Sequence, residues 1–412
     1  PFSSGGYTWW HWMNGNITKD GITRDLEAMK ANGIAGYQLF EAGSGIPIGP
    51  VESLSDEWVD LILHTLKESE RLGLEFAMHN CPGWSSSGGP WITPDKAMQI
   101  ITWSETKITG GKQVRIQLPT PKHMFDYYID TYCLAIPANM KVIPRLSILE
   151  LSNRLDKDGV LTWDVPTGEW LIMRFGQTAK DQKNKSAPSK STGLDCDKFS
   201  TEALDYHLNC MFKRLMPAME KIAKHSKIGL LIDSYETGDQ DWTSDMPAYF
   251  EQSHGYELYP FLPVLANKIV ESEESTKRFL FDFRRVRADM FAERYYGHFQ
   301  KRCKEKGIIT YTEPYGGNMM EELQVAQQLD INMGEFWCGQ TVLWANYKYN
   351  RTVKQVASIA HTLGGKVVGA EAFTSEPDAD KWLQYPYALK SLGDYMFTRG
   401  LSRIYFHRFA QS

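Results

Sequence analysis

The stretch "IGLLIDSYETG", residues 228–238, drives a run of apolar residues straight into Asp233, Tyr235 and Glu236. Burying such a strand is favourable, but ending it in carboxylates costs desolvation unless those groups face a cleft. The same design recurs in "YTWWHWMNG" (7–15), "IAGYQLFEAG" (34–43), "LEFAMHNCPGW" (74–84), "GIITYTEPYG" (307–316), "DINMGEFW" (330–337), "KVVGAEAFTS" (366–375) and "RIYFHRFAQS" (403–412). With helical periodicity between most of them, these units predict an α/β fold, a (β/α)8 TIM-like barrel.

The intervening stretches carry helix signals. In "ITKDGITRDLEAMKANG" (17–33), Ile22, Leu26 and Met29 share a face, Thr18 is the expected N-cap and Gly33 the stop. "LSDEWVDLILHTLKESERLG" (54–73) repeats this with Ser55 and Gly73, and a long amphipathic run from 272 ends at Gly307, directly before the fifth strand. The alternation breaks after the third strand, where "KQVRIQL", "YYIDTYCLAI", "GVLTWDVP" and "EWLIMRF" read as short β-runs separated by turns. We therefore expect a discontinuous barrel, 1–105 and 190–412, and an inserted β-rich subdomain at 106–189 between strands three and four. The insertion closes with a polar loop, "AKDQKNKSAPSKSTG" (179–193), expected to be mobile near the mouth. A helix is expected after strand eight, and its absence before Ser412 points to a longer polypeptide.

Composition narrows the partners. A net charge of -5 provides no basic field for nucleic acid, and no apolar run approaches the roughly 18 residues of a membrane span. The 13 Trp, 20 Tyr and 19 Phe, many beside Gly, Pro, Asn and Asp, suit a cleft that offers flat platforms to sugars, although most of them belong in the core. The six cysteines show no metal-finger spacing, and the N-terminal residues carry no signal-peptide pattern.

In a barrel of this class the C-terminal strand ends build the site. That yields His11 and Asn14 from strand one, Glu41 from two, His79, Asn80 and Trp84 from three, and Asp233, Tyr235 and Glu236 from four. Strand five contributes Glu313 and Tyr315, six Glu335 and Trp337, seven Glu371 and eight His407. Any one of these carboxylates could sit in a structural ion pair; their joint occurrence at neighbouring strand ends argues for a cleft. Two carboxylates across a cleft are the minimum for hydrolysing a glycosidic bond, and Glu236 faces Glu371 from three strands away, with Glu335 the competing partner. Other motifs are weaker. "GWSSSGG" fails the nucleophile-elbow spacing around Ser85, and "DQDWTSDMPAYFE" (239–251) lacks the glycine of a calcium loop, leaving an acidic loop and a possible helix cap.

Taken together, "WWHWMNGNITKDGITRDLEAMKANGI", "NCPGWSSSGGPWITPDKAMQ", "TGLDCDKFS", "IDSYETGDQDWT", "TEPYG", "DINMGEFW" and "AEAFTS" resemble glycoside hydrolase family 106, the α-L-rhamnosidases. The resemblance implies an inverting exo-glycosidase that removes terminal α-L-rhamnose, assisted by calcium, with further β-domains after the barrel and a periplasmic or extracellular location. By the same analogy Glu236 is the general acid, Glu371 the base with Glu335 the second choice, and Glu313 and His79 candidates for the metal or sugar shell. Burial beside Tyr235 and neighbouring acids is expected to keep Glu236 protonated. Two alternatives stand beside it: an exo-glycosidase of different sugar specificity on the same barrel, and a carbohydrate-binding protein without catalysis.

Overall fold

A computed structural model describes residues 5–43, 45–84, 87–222, 228–338, 342–365, 367–375 and 381–410; Ser85 lies outside the described residues. Eight parallel strands close into a barrel: Gly6–Met13, Ile34–Ala42, Glu75–His79, Ile228–Ile232, Ile309–Thr312, Ile331–Cys338, Val368–Ser375 and Arg403–Ala410. Each pairs with its sequence neighbour among these eight, and the last closes on the first through Tyr7 opposite Tyr405 and Thr8 opposite Phe406. They are the eight segments that end in polar or aromatic clusters in the sequence.

The helices begin and end where local chemistry dictates. Thr18 accepts from the Gly21 N–H at the start of Lys19–Ala31, and Ser55 accepts from Trp58 N–H at the start of Asp56–Leu72. Gly73 ends the latter with a left-handed φ of 64° that a Cβ would oppose. The apolar faces of these two helices, including Ile22, Leu26, Met29, Trp58, Ile62 and Leu66, are buried in the main hydrophobic core between barrel wall and helix layer. Asp245 stands at the N-terminus of Met246–His254, but its carboxylate makes no cap bond; it turns to the Arg294 guanidinium 2.8 Å away. The expected cap is thus an ion pair between two helices.

Between strands three and four the chain forms an antiparallel sheet in the order Gln99–Thr109, Glu169–Ala179, Ile129–Pro137, Leu149–Glu150, with Lys112–Gln117 and Val160–Val165 as a separate pair. The first of these strands starts ahead of residue 106, where the sequence placed the subdomain boundary. Its early residues pair with the end of the strand that leads out, Gln99 opposite Ala179, so the two chain crossings form one continuous ladder.

The polar segment after this sheet is a strap across the mouth, held at many points, where a mobile loop was expected. Gly43 N–H donates to Ser186 O at 2.8 Å and Trp84 N–H to Lys185 O at 3.3 Å. Asn184 Nδ2 donates to Pro82 O at 2.9 Å, Ser189 N–H to Asn14 Oδ1 at 2.9 Å and Ser53 N–H to Ser191 Oγ at 3.1 Å. Its composition is polar because its polar groups bond to the loops of strands one to three. Gly83 permits the closest approach: its φ is 91°, and a Cβ there would stand 2.2 Å from Lys185 O. Gly83→Ala is therefore expected to destabilise the fold by about 1–3 kcal/mol, read as a lowered melting temperature, because neither its backbone angle nor the strap can accommodate a methyl group.

Candidate active site

Strand periodicity decides which side chains reach the barrel interior. Tyr7, Trp9, Phe40, Ala77, Leu231, Tyr311, Ile331, Met333 and Tyr405 form one buried cluster inside the barrel. Residues two apart along a strand share a face, so the next inward positions toward the C-terminal rim are His11, His79, Asp233, Glu313, Glu335, Glu371 and His407. The apolar plug is thus overlaid by a layer of acids and histidines, with Glu335 and Glu371 direct register partners on adjacent strands.

Above that layer lies a cavity of about 260 Å³. Asp233, Ser234 and Glu236 line it from strand four, Glu335 and Trp337 from six, Glu371 and Thr374 from seven. His407 and Arg408 close it from strand eight, Trp9 and His11 from one, and Trp84 from the loop after three. A larger cavity, about 770 Å³, lies outside the barrel wall beside Glu322 and Arg351. Glu322 there is paired with Arg351 at 2.9 Å and none of the inward acids of the strand ends lines that cavity, so the smaller site is the chemical one.

Burial dominates the electrostatics. It pushes the Asp233, Glu313 and Glu371 carboxyls well above the ordinary carboxylate range, and neighbouring acids push in the same direction. The Asp233 and Glu313 carboxyls lie close enough for a hydrogen bond that would require a proton on one of them, and Tyr315 Oη donates to Glu313. Glu371 accepts from Thr374 Oγ1, and Glu335 from the Trp337 indole N–H. Burial lowers His79 and His407 to about 4 and His11 well below its usual value, so all three imidazoles are neutral near pH 7. His11 is 2% exposed, and neither of its ring nitrogens has a hydrogen-bond partner among the described residues.

Glu236 contrasts with this layer. Its side chain is 40% exposed and salt-bridged to Lys185, while Ser234 Oγ donates to it at 3.2 Å. The enclosure beside Tyr235 expected from sequence is not there: Tyr235 points away, its ring on Phe291 and its hydroxyl on Gly238 O. The reason is that strand four ends at Ile232, so strand alternation no longer governs positions 235 and 236.

The profile of one family, described as alpha-L-rhamnosidase, glycoside hydrolase family 106, matches residues 1–127 and 122–412. The chain belongs to glycoside hydrolase family 106. A protein of Formosa agariphila named "Putative beta-glucuronidase" is 40% identical over 98% of this chain and 36% of its own length. The solved rhamnosidase of Novosphingobium sp. PP1Y superposes with a TM-score of 0.91 at 24% identity, over 100% of this chain and 56% of that one, which establishes the shared fold. The chain therefore spans about a third of the curated relative and just over half of the solved one.

Within this family 106 barrel, the cavity gathers His11, Trp84, Asp233, Glu236, Glu335, Trp337, Glu371 and His407 of the residues expected from sequence. The others lie outside it. His79 is beneath the floor, its Nδ1 on Cys81 O and its Nε2 receiving the Asp233 N–H at 3.5 Å. Glu313 is fully buried below Asp233, with Tyr315 bonded to it. Asn14 bridges Ile46 O and the strap, Asn80 bonds to Leu231 O, Ser87 and His207, and Glu41 accepts from Ser53 Oγ at 2.5 Å. All three sit at the opposite strand parity or past the strand end, as Tyr235 does. The lining residues missing from the sequence-based set are Trp9, Ser234, Thr374 and Arg408. Alternation from His11 would have flagged Trp9, whereas Arg408 offers no such signal.

Calcium, implied by the family resemblance, would need hard oxygen donors. The carboxylate layer supplies them in kind, and Asp233 Oδ1 and Glu313 Oε1 are buried without a donor. Among the described residues, however, no group of three or more acidic, His or Cys side chains is arranged around one point. The fit is chemical and not geometric.

The Asp233–Glu313 pair has a consequence for stability. The pair holds a proton in the folded state that the unfolded chain releases above about pH 4 to 4.5, so folding stability falls as pH rises beyond that point. Glu313→Gln supplies a permanent hydrogen for Asp233. Its melting temperature, relative to the parent protein, is expected to rise between pH 5 and pH 9; a pH-independent difference would show that the pair does not share a proton.

Proposed function

We propose that the protein is an exo-acting α-L-rhamnosidase that cleaves with inversion, working in the periplasm or outside the cell. The observation that carries this reading is the convergence of Glu236 and Glu371, from strands four and seven, on one small cavity in a family 106 chain. The cavity has room for a single terminal sugar, which suits exo action. Glu236, at the open edge, donates a proton to the leaving oxygen and is recharged from solvent. Glu371, on the enclosed side, takes a proton from the attacking water when it is ionised, a form that burial and the neighbouring Glu335 disfavour, and Glu335 beside it is the alternative.

The remaining walls support sugar binding. Trp9, Trp84 and Trp337 offer faces for the C–H surface of a pyranose, and Trp337 also bonds to Glu335. His11 has two unsatisfied ring nitrogens beside the cavity, and a sugar hydroxyl would satisfy one of them. His11→Ala is accordingly expected to raise KM roughly tenfold with a smaller effect on kcat. Equal KM values in the two proteins would remove His11 from the binding set.

Arg408 favours a second reading. Its guanidinium lines the cavity and has no carboxylate partner among the described residues. A terminal uronosyl group would meet that charge, consistent with the name of the Formosa agariphila relative. Parallel assays on aryl α-L-rhamnoside and aryl β-D-glucuronide separate the two.

On the substrate that is turned over, Glu371→Gln is expected to lower kcat by roughly 10²–10⁴-fold, and Glu236→Gln to do so where the leaving group needs a proton. An active Glu371→Gln protein would move the base to Glu335, and an inert parent protein that still binds sugar would favour the non-catalytic alternative. Proton NMR of the first product should show β-L-rhamnose; the α-anomer appearing first would mean retention. Calcium is proposed from the family resemblance alone. Activity lost to a chelator and restored by calcium would support it.

A further inference from the structure

Glu236 does not stand on a barrel strand. It follows the end of Ile228–Ile232 in an irregular segment, where strand geometry no longer fixes its direction. The structure shows what does. Lys180 Nζ donates to Asp239 O at 2.5 Å, and Gly238 N–H donates to Gln182 Oε1 at 3.2 Å, so the strap grips the backbone just beyond Glu236. A Cβ on Gly238 would lie 2.6 Å from Lys180 Nζ and 2.7 Å from Gln182 Oε1, so both side-chain ends close directly over this glycine. Lys185, on the same strap, reaches the Glu236 carboxylate itself. The strap's other side is tied to the loops of strands one to three through Gly43, Trp84 and Asn14.

We propose that Lys185 is a positioning residue for the proton donor: the strap seats its ammonium on one carboxyl oxygen of Glu236 and aims the other, which carries the proton to be given, at the leaving-group oxygen. The inference rests on the reading of Glu236 as the general acid. The chain outside the barrel thus supplies a part of the site that no barrel strand can supply. Lys185 touches neither the sugar nor the reacting atoms; it acts through Glu236. Its two neighbours in function, Lys180 and Gln182, hold backbone, so Lys185 alone among the three governs the carboxylate's orientation.

A residue that aims a proton donor matters only when the leaving group needs a proton. The test compares methyl α-L-rhamnoside, whose alkoxide leaves poorly, with nitrophenyl α-L-rhamnoside, whose phenolate leaves unaided. For Lys185→Met, kcat on the methyl glycoside is expected to fall on the order of 10²-fold, with less than about threefold loss on the nitrophenyl glycoside and little change in KM. Lys185→Arg should restore most of the loss. Equal losses on both substrates, or none on either, would overturn the proposal and leave Lys185 a purely structural contact. Glu236→Gln, run in parallel, tests the underlying reading: it must show the same leaving-group selectivity, and a uniform loss there would sink the acid assignment itself. If Lys185→Met does not fold by melting analysis, Lys185→Gln is measured on the same pair of substrates.

Discussion

Burying several carboxylates at the end of one barrel is the constraint around which the rest of this molecule is arranged. Asp233, Glu313 and Glu371 are enclosed, with Glu335 against them, and their mutual repulsion in a dry environment would be prohibitive if all were ionised. The structure relieves this with hydroxyl donors from Tyr315 and Thr374 and with the Trp337 indole. The nearby histidines are neutral and contribute hydrogen bonds or ring contacts instead of charge. An acid layer stabilised this way is poised: a polyhydroxylated sugar, or the positive charge that develops on it during cleavage, meets groups already desolvated and oriented.

The plug beneath explains why this layer holds its place. Tyr405 contacts both Tyr7 and Tyr311 across the barrel, with the Arg403 guanidinium over the Tyr7 ring. A close-packed base of large rings leaves the acid-bearing ends of the strands little freedom to shift. Strands four to eight therefore place Asp233, Glu313, Glu335, Glu371 and His407 by backbone geometry alone, each two residues beyond an interior residue of the plug or of the strand's inner face.

That regularity is also why so much of the site is legible in the amino-acid sequence. A period of two, applied to segments that end in acids, is sufficient to identify the inward carboxylates, and the eight segments are themselves legible from their apolar cores. The same rule, applied strictly, sets aside Asn14, Glu41 and Asn80, whose parity or position directs them to loop groups, and brings in Trp9. It has no purchase on Tyr235, past the strand end, or on Lys185, whose pairing with Glu236 joins residues 51 apart in sequence. Nor does a polar composition distinguish a mobile loop from a strap whose polar groups are consumed by hydrogen bonds; only the partners at Gly43, Pro82 and Asn14 reveal that.

The two carboxylates proposed for catalysis consequently owe their positions to different parts of the chain. Glu371 is carried by a strand and enclosed. Glu236 is carried by a loop, open to water, and held by a segment that belongs to the insertion between strands three and four. An acid and a base need unlike surroundings to keep unlike protonation states, and a symmetric barrel offers eight similar strand ends. Threading the insertion's exit across the mouth breaks that symmetry. It grips the segment that carries Glu236 and leaves Glu371 to its strand, so two chemically identical side chains meet unlike surroundings at one mouth.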